Sequence, residues 1–154
     1  MYKQLIILRE NYDNGFTLDF GKGCAMAAHC SMAFLTTMIE EAIDIVKEEN
    51  GDYHYEANLR IDKGLYEGWI GDIFTKIVVK AKNKNKLMKA IDYAKELGLE
   101  ENKDYFLITD LCKTSLKPEF IDNNGDGRVI VGIGFKPMEI EKVEKISKHY
   151  QLYK

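Results

Sequence analysis

Gly21-Lys22-Gly23-Cys24-Ala25-Met26-Ala27-Ala28-His29-Cys30-Ser31-Met32-Ala33-Phe34-Leu35 carries a glycine-bracketed lysine directly into a run of small and apolar residues. From there Met26, Ala27, Cys30, Ala33, Phe34, Met38, Ala42, Ile45 and Val46 recur at helical spacing. That period predicts a helix from about Cys24 to Glu49, ended by the turn chemistry of Asn50-Gly51-Asp52. Upstream, Gln4-Leu5-Ile6-Ile7-Leu8 is a short, continuous apolar run that suits a strand buried on both faces, and Asn11 to Gly23 reads as a polar loop. A helix start offers unpaired N–H groups and a positive dipole end, and Lys22 adds an ammonium, so the junction is a candidate anion site, for phosphate in the first instance. The alternative is a plain loop-to-helix turn.

Further along, Phe74 to Lys80 predicts a strand, and Asn83 a helix cap for the face Leu87, Ala90, Ile91 and Ala94, with Gly98 as terminator. Tyr105 to Thr109 and Val129 to Ile133 predict two more strands. Pro137 sits where a first helical turn favours it, ahead of Ile140, Val143 and Ile146. Residues 53–72 show no clean period. Strands alternating with helices predict one layered α/β domain over residues 1–154, its sheet largely buried and helices on both faces.

The chain has 154 residues and a formal net charge of −3, unevenly spread. Residues 40–72 hold ten acids against three bases, whereas residues 76–117 hold ten lysines against six acids. A polyanion responds to the local field, so the basic segment permits a nucleic-acid contact that the total charge disfavours; a solvated helix face is the plainer reading. Three cysteines without a Cys-x-x-Cys pair, no signal-like start and no apolar run long enough to span a bilayer point to reduced thiols in the cytoplasm.

Thr109-Asp110-Leu111-Cys112-Lys113-Thr114 follows the buried-strand pattern of Phe106-Leu107-Ile108. An acid, a lysine and a hydroxyl at a strand's carboxyl end can orient a water and stabilise an oxyanion; alternatively, Asp110 caps a turn. Asp122-Asn123-Asn124-Gly125-Asp126-Gly127 imitates the start of a calcium loop, but Ile133 stands where the bidentate glutamate belongs, so it reads as a solvated turn. His29, His54 and His149 are scattered, and Cys24, His29 and Cys30 lack the spacing of a zinc face. Tyr53, Tyr55, Tyr66 and Trp69 read as a stacking surface for bases, the contact face of a homodimer, or ordinary core.

Five blocks, in order, resemble the type II peptidyl-tRNA hydrolases. They are Ala27-Ala28-His29-Cys30-Ser31-Met32-Ala33 after Gly-Lys-Gly, Trp69 to Val79, Lys95-Glu96-Leu97-Gly98-Leu99, Ile108 to Thr114, and Gly132-Ile133-Gly134-Phe135-Lys136-Pro137. The resemblance implies a four-stranded mixed sheet flanked by helices. It also implies hydrolysis of the ester joining a peptide to the 3′ end of tRNA, a task of translation quality control, with no metal or organic cofactor. On that alignment Asp110 and Thr114 take the catalytic acid and hydroxyl positions and Lys113 the basic neighbour. Lys22 would bind phosphate or the oxyanion, and Gly21, Gly23, Cys24, His29 and Lys113 would face the substrate. The chain departs from the family pattern where a second lysine is expected, at Cys24 or Ala25, and has Leu111-Cys112 in place of Ala-Gly. Two other readings stay open: an inactive domain of this fold binding RNA or a protein partner, and an enzyme for a small phosphorylated metabolite.

Overall fold

The computed structural model describes residues 1–154. Its centre is four long strands: β1 (Tyr2–Arg9), β4 (Lys76–Ala81), β5 (Tyr105–Asp110) and β7 (Gly127–Phe135). They lie in the order β5-β7-β1-β4, with β1 and β4 parallel and both β7 pairings antiparallel. The sheet has seven strands rather than four. Three two-residue strands extend it: β6 (Phe120–Ile121) on β7, β8 (Met138–Glu139) on β1 and β9 (Gln151–Leu152) on β4. Pairs this short leave no period to read in a sequence.

Alternation along β1 divides the core in two. Leu5 and Ile7 face helices α3 (Lys84–Glu96) and α4 (Ile140–Ser147), packing with Leu87, Ala90, Ala94, Val143 and Ile146. Ile6 and Leu8 face helix α1 (Phe20–Ala42), packing with Met26 and Cys30. Helices therefore cover both faces, as alternating strands and helices require. Asn83 caps α3 by accepting from the Lys86 N–H at 2.9 Å, and Gly98 ends it in the left-handed region at φ +73°.

Helix α1 stops at Ala42 instead of continuing to Glu49. The β-branched stretch Ile43–Lys47 forms β2, which pairs with β3 (Tyr53–Ala57) in an antiparallel hairpin around Asn50-Gly51-Asp52. Tyr53 and Tyr55 of this hairpin are exposed, and so is Tyr66, whereas Trp69 is core. A helical turn, α2 (Lys63–Leu65), runs into a π-helical turn at Tyr66–Ile70 that seats Trp69 edge-on against Phe34 at 6.0 Å. Pro137 does not open a helix. It leads into β8, and α4 begins at Ile140. No helix is long and apolar enough to cross a membrane.

The contact that positions α1 is backbone on backbone. A β-carbon at Gly134 would overlap the carbonyl of Cys30, and one at Gly132 would lie 2.9 Å from the Ile7 carbonyl oxygen and 3.0 Å from the Cys30 sulfur. Beside it the buried Gln4 donates to the carbonyls of Ser31 (2.8 Å) and Phe135 (3.1 Å) and accepts from the Ser31 hydroxyl at 2.7 Å. Gly134→Ala must push the helix off the sheet. It is expected to cost about 3 kcal/mol or more in denaturant unfolding, at the upper end of overpacking because neither clashing backbone can rotate away; a loss under about 0.5 kcal/mol would refute the close approach.

Candidate active site

Strands β1, β4 and β5 point the same way, so the loops after β1 and β5 emerge at one edge of the sheet. Opposite the step from Ile108 to Thr109, β7 contributes the extra residue Val131, a bulge that re-aims the end of β5. There Asp110 uses Oδ1 to accept the Cys112 N–H at 2.7 Å, and Cys112 adopts φ +57°. From the first turn of α1, which that other loop leads into, the Lys22 Nζ donates to the Thr114 Oγ1 at 2.7 Å. Two segments separated by ninety-two positions are thereby joined.

Asp110, Lys113, Thr114 and His29 line one groove of about 870 Å³ between α1 and the end of β5. Lys22 reaches its rim through Thr114. Cys24, Gly21 and Gly23 lie outside it: Cys24 and Gly21 are exposed, and Gly23 is buried beneath the Tyr153 ring. The helix start is not a vacant anion cradle either. The Asp19 carboxylate accepts the Lys22 N–H at 2.8 Å, so anion recognition at this junction falls to the Lys22 ammonium.

Arg128, which the sequence reading missed, also lines the groove. Its Nε donates to Asp122 Oδ2 at 2.8 Å, and a second nitrogen lies 3.5 Å from the Thr109 hydroxyl. Asp122 in turn accepts the N–H groups of Asn124 and Asp126, which makes 122–127 the solvated turn expected. Burial raises the Cys112 thiol pKa above its ordinary value and nearby Asp110 adds to this, outweighing Lys22, so the thiol stays protonated. Cys30, wholly buried, is pushed up to about 12.

Behind the groove, Arg9 ends β1 fully buried. It stacks on Tyr12 at 4.3 Å, donates to the Asn11 carbonyl at 2.9 Å and pairs with Glu119, which also meets Lys84 at 2.6 Å. A buried guanidinium must be paired, and this pairing fastens the loop carrying Thr114 to β1. Its one sequence signal was an arginine directly after the apolar run Leu5–Leu8.

Residues 2–153 match the model of the family described as Peptidyl-tRNA hydrolase PTH2. The chain belongs to the PTH2 family. Similar proteins include peptidyl-tRNA hydrolase 2, mitochondrial, of Mus musculus (26% identical over 152 residues) and of Bos taurus (27% over 152 residues). In each, the match covers 99% of this chain and 64% of the relative, so the chain spans less than two thirds of their length. The peptidyl-tRNA hydrolase of Nanoarchaeum equitans (strain Kin4-M) is 27% identical over 155 residues, covering 99% of this chain and all of that protein. Against the PTH2-type pattern Ala-Gly at Leu111-Cys112, the left-handed Cys112 is a glycine position filled by cysteine.

Left-handed backbone costs a non-glycine residue about 1–2 kcal/mol. Cys112→Gly is therefore expected to raise stability by about 0.5–1 kcal/mol, and Cys112→Val to lower it; chemical denaturation reads both, and the reverse order would contradict the strained turn. Glu119 gives a pH signature. Burial alone would raise its carboxyl pKa, but hydrogen bonds from Lys84 and Arg9 prevail and hold it below the ordinary 4.5. A depressed carboxylate stabilises the fold above the unfolded pKa, and that contribution is lost as pH falls through the folded value. Glu119→Gln should flatten the loss of melting temperature below pH 4.5; an unchanged acid limb would show that the cluster carries no linkage.

Proposed function

We propose that this chain hydrolyses the ester joining a peptide to the 3′ end of tRNA. Family membership supports the reaction class. The observation that carries the residue assignment is the 2.7 Å contact of Lys22 with Thr114, which brings the Gly-Lys-Gly segment against the Asp110 loop. Asp110, held by the Cys112 N–H through one oxygen, has the other free to orient a water, take its proton as the water attacks the ester carbonyl, and pass that proton to the 3′ oxygen as the acyl C–O bond breaks. The Lys22 ammonium offsets charge developing on the carbonyl oxygen or holds the neighbouring phosphate. Thr114 fixes that ammonium by accepting its hydrogen bond. Lys113 and His29 face the substrate in the groove, and the basic stretch 76–117 meets the RNA. Cytoplasmic residence is the compartment proposed, supported by three unpaired cysteines.

Turnover of peptidyl-tRNA by the wild type, Asp110→Asn and Lys22→Ala tests the assignment. Asp110→Asn should lose about 10²–10⁴-fold in kcat, the range of general acid–base groups. Lys22→Ala should lose about 10²–10³-fold, that of an oxyanion donor. Undiminished turnover in Asp110→Asn would remove it from the chemistry. A wild type that binds tRNA without turning over would be an inactive domain of this fold.

A further inference from the structure

The edge that carries Asp110 continues past it to the end of β4. There a cavity of about 540 Å³ is lined by Lys80, Lys82, Lys86 and Lys89, with His149 stacked on Tyr93 at its wall. Its one carboxylate, Glu10, is occupied by Lys80 at 2.7 Å. Lys82, Lys86 and Lys89 have no carboxylate partner. The first turn of α3 contains no acid and does contain Lys84 and Lys86, cations placed where the helix dipole disfavours them. Three lysines without carboxylate partners line one concavity, Lys86 with its ammonium 5.7 Å from the Tyr150 ring; their like charges repel, and a bound polyanion relieves that repulsion.

The cavity's position is as informative as its charge. Strand β4 lies three strand spacings, roughly 14 Å, from β5, and Lys82 follows its end; Lys86 and Lys89 stand on α3, which covers the sheet face opposite α1, so an RNA strand joining them to the Asp110 groove passes over the edge of the sheet. A smaller cavity of about 530 Å³ lies between them, lined by Tyr12, Lys84 and Lys117, and the buried Tyr12 hydroxyl has no hydrogen-bond partner. Of the acidic segment 40–72, Glu40 lines the Asp110 groove, and the rest lies in the end of α1, the hairpin and the turns after it.

We propose that Lys82, Lys86 and Lys89 form a phosphodiester-binding site that takes the backbone of the substrate's RNA strand upstream of the scissile ester. The proposal rests on the ester-hydrolase reading above. The ammoniums engage non-bridging phosphate oxygens without reading bases, and so fix how far the strand's end extends into the Asp110 groove. The site distinguishes an ester borne on a long RNA from the same ester on a short fragment.

The test compares the wild type with Lys82→Ala, Lys86→Ala, Lys89→Ala and the triple variant, on peptidyl-tRNA and on peptidyl-adenosine, which keeps the ester but no upstream phosphate. Each substitution should raise KM for peptidyl-tRNA about tenfold, the loss of one charge-assisted hydrogen bond, with kcat unchanged. KM for peptidyl-adenosine should not move. Affinity for deacylated tRNA should lose about 0.7–0.9 of its log–log salt slope per lysine removed. Unchanged tRNA affinity and slope in the triple variant would overturn the site, and so would equal losses on both esters. Displacement of tRNA by millimolar inorganic phosphate, or lysine-dependent binding of polyglutamate but not tRNA, would also overturn it, in favour of a free-anion or acidic-protein site. If the wild type cleaves neither ester while tRNA affinity still depends on these lysines, the hydrolase reading fails and the phosphate site stands.

Discussion

The seating of α1 on β7 fixes the wall of the groove that carries Lys22. At the crossing the helix approaches the sheet so closely that only a hydrogen atom fits on Gly134 beneath the Cys30 carbonyl. Gln4 then ties Ser31 of the helix and Phe135 of β7 to β1. These contacts fix depth and rotation together, because backbone cannot yield as a side-chain tip does. Lys22 lies eight residues before Cys30, so its Cα is carried about 12 Å along the helix axis from the crossing. A helix held rigidly over that length delivers the ammonium to Thr114 without a loop having to find it.

The opposite wall is held by charge. The loop from Leu111 to Glu119 has little regular structure, yet it carries Thr114 and Lys113. Arg9 fastens its far end through Glu119, and Asn14 fastens its middle by donating to the Ser115 carbonyl at 3.1 Å. Burying a guanidinium is unfavourable unless it is paired, so the loop cannot leave without breaking the closest ion pair of Arg9. Burial at β1 thus becomes order in the groove.

Legibility in the sequence followed the range of the interactions. Strand β1, the cap and stop of α3, and the β5 and β7 runs rest on local period and capping, and they lie where those signals put them. Helix α1 was read too long because Ile45 and Val46 fit a helical stripe as well as they fit a strand. What separates the two is the pairing of Ile43–Lys47 with Tyr53–Ala57, a non-local fact. The hairpin also leaves Tyr53 and Tyr55 outside the core, which Trp69 enters from the π-helical turn that follows. The site was legible through two short segments, Lys22 and Asp110–Thr114. Arg128 and Glu119 were not, since only the return of β7 and the loop before it brings them to the edge.

The substitution at Cys24 takes a different meaning once the groove is in view. Cys24 and Ala25, the two positions at which the resembled pattern would have its second lysine, are both exposed and outside the groove. Cationic character in the groove comes instead from three separate elements: Lys22 from the helix start, Lys113 from the β5 loop and Arg128 from β7. Arg128 is held by Asp122 and so contributes a fixed charge at low conformational cost. These three cations face Asp110 and Glu40 in the same groove, so it holds positive charge without an ammonium at Cys24. What it lacks is a second cation on α1 itself. The position of Lys22 is set by the Cys30–Gly134 contact and the Thr114 hydrogen bond, so under the proposed reaction this single ammonium stands where a lysine pair would otherwise act.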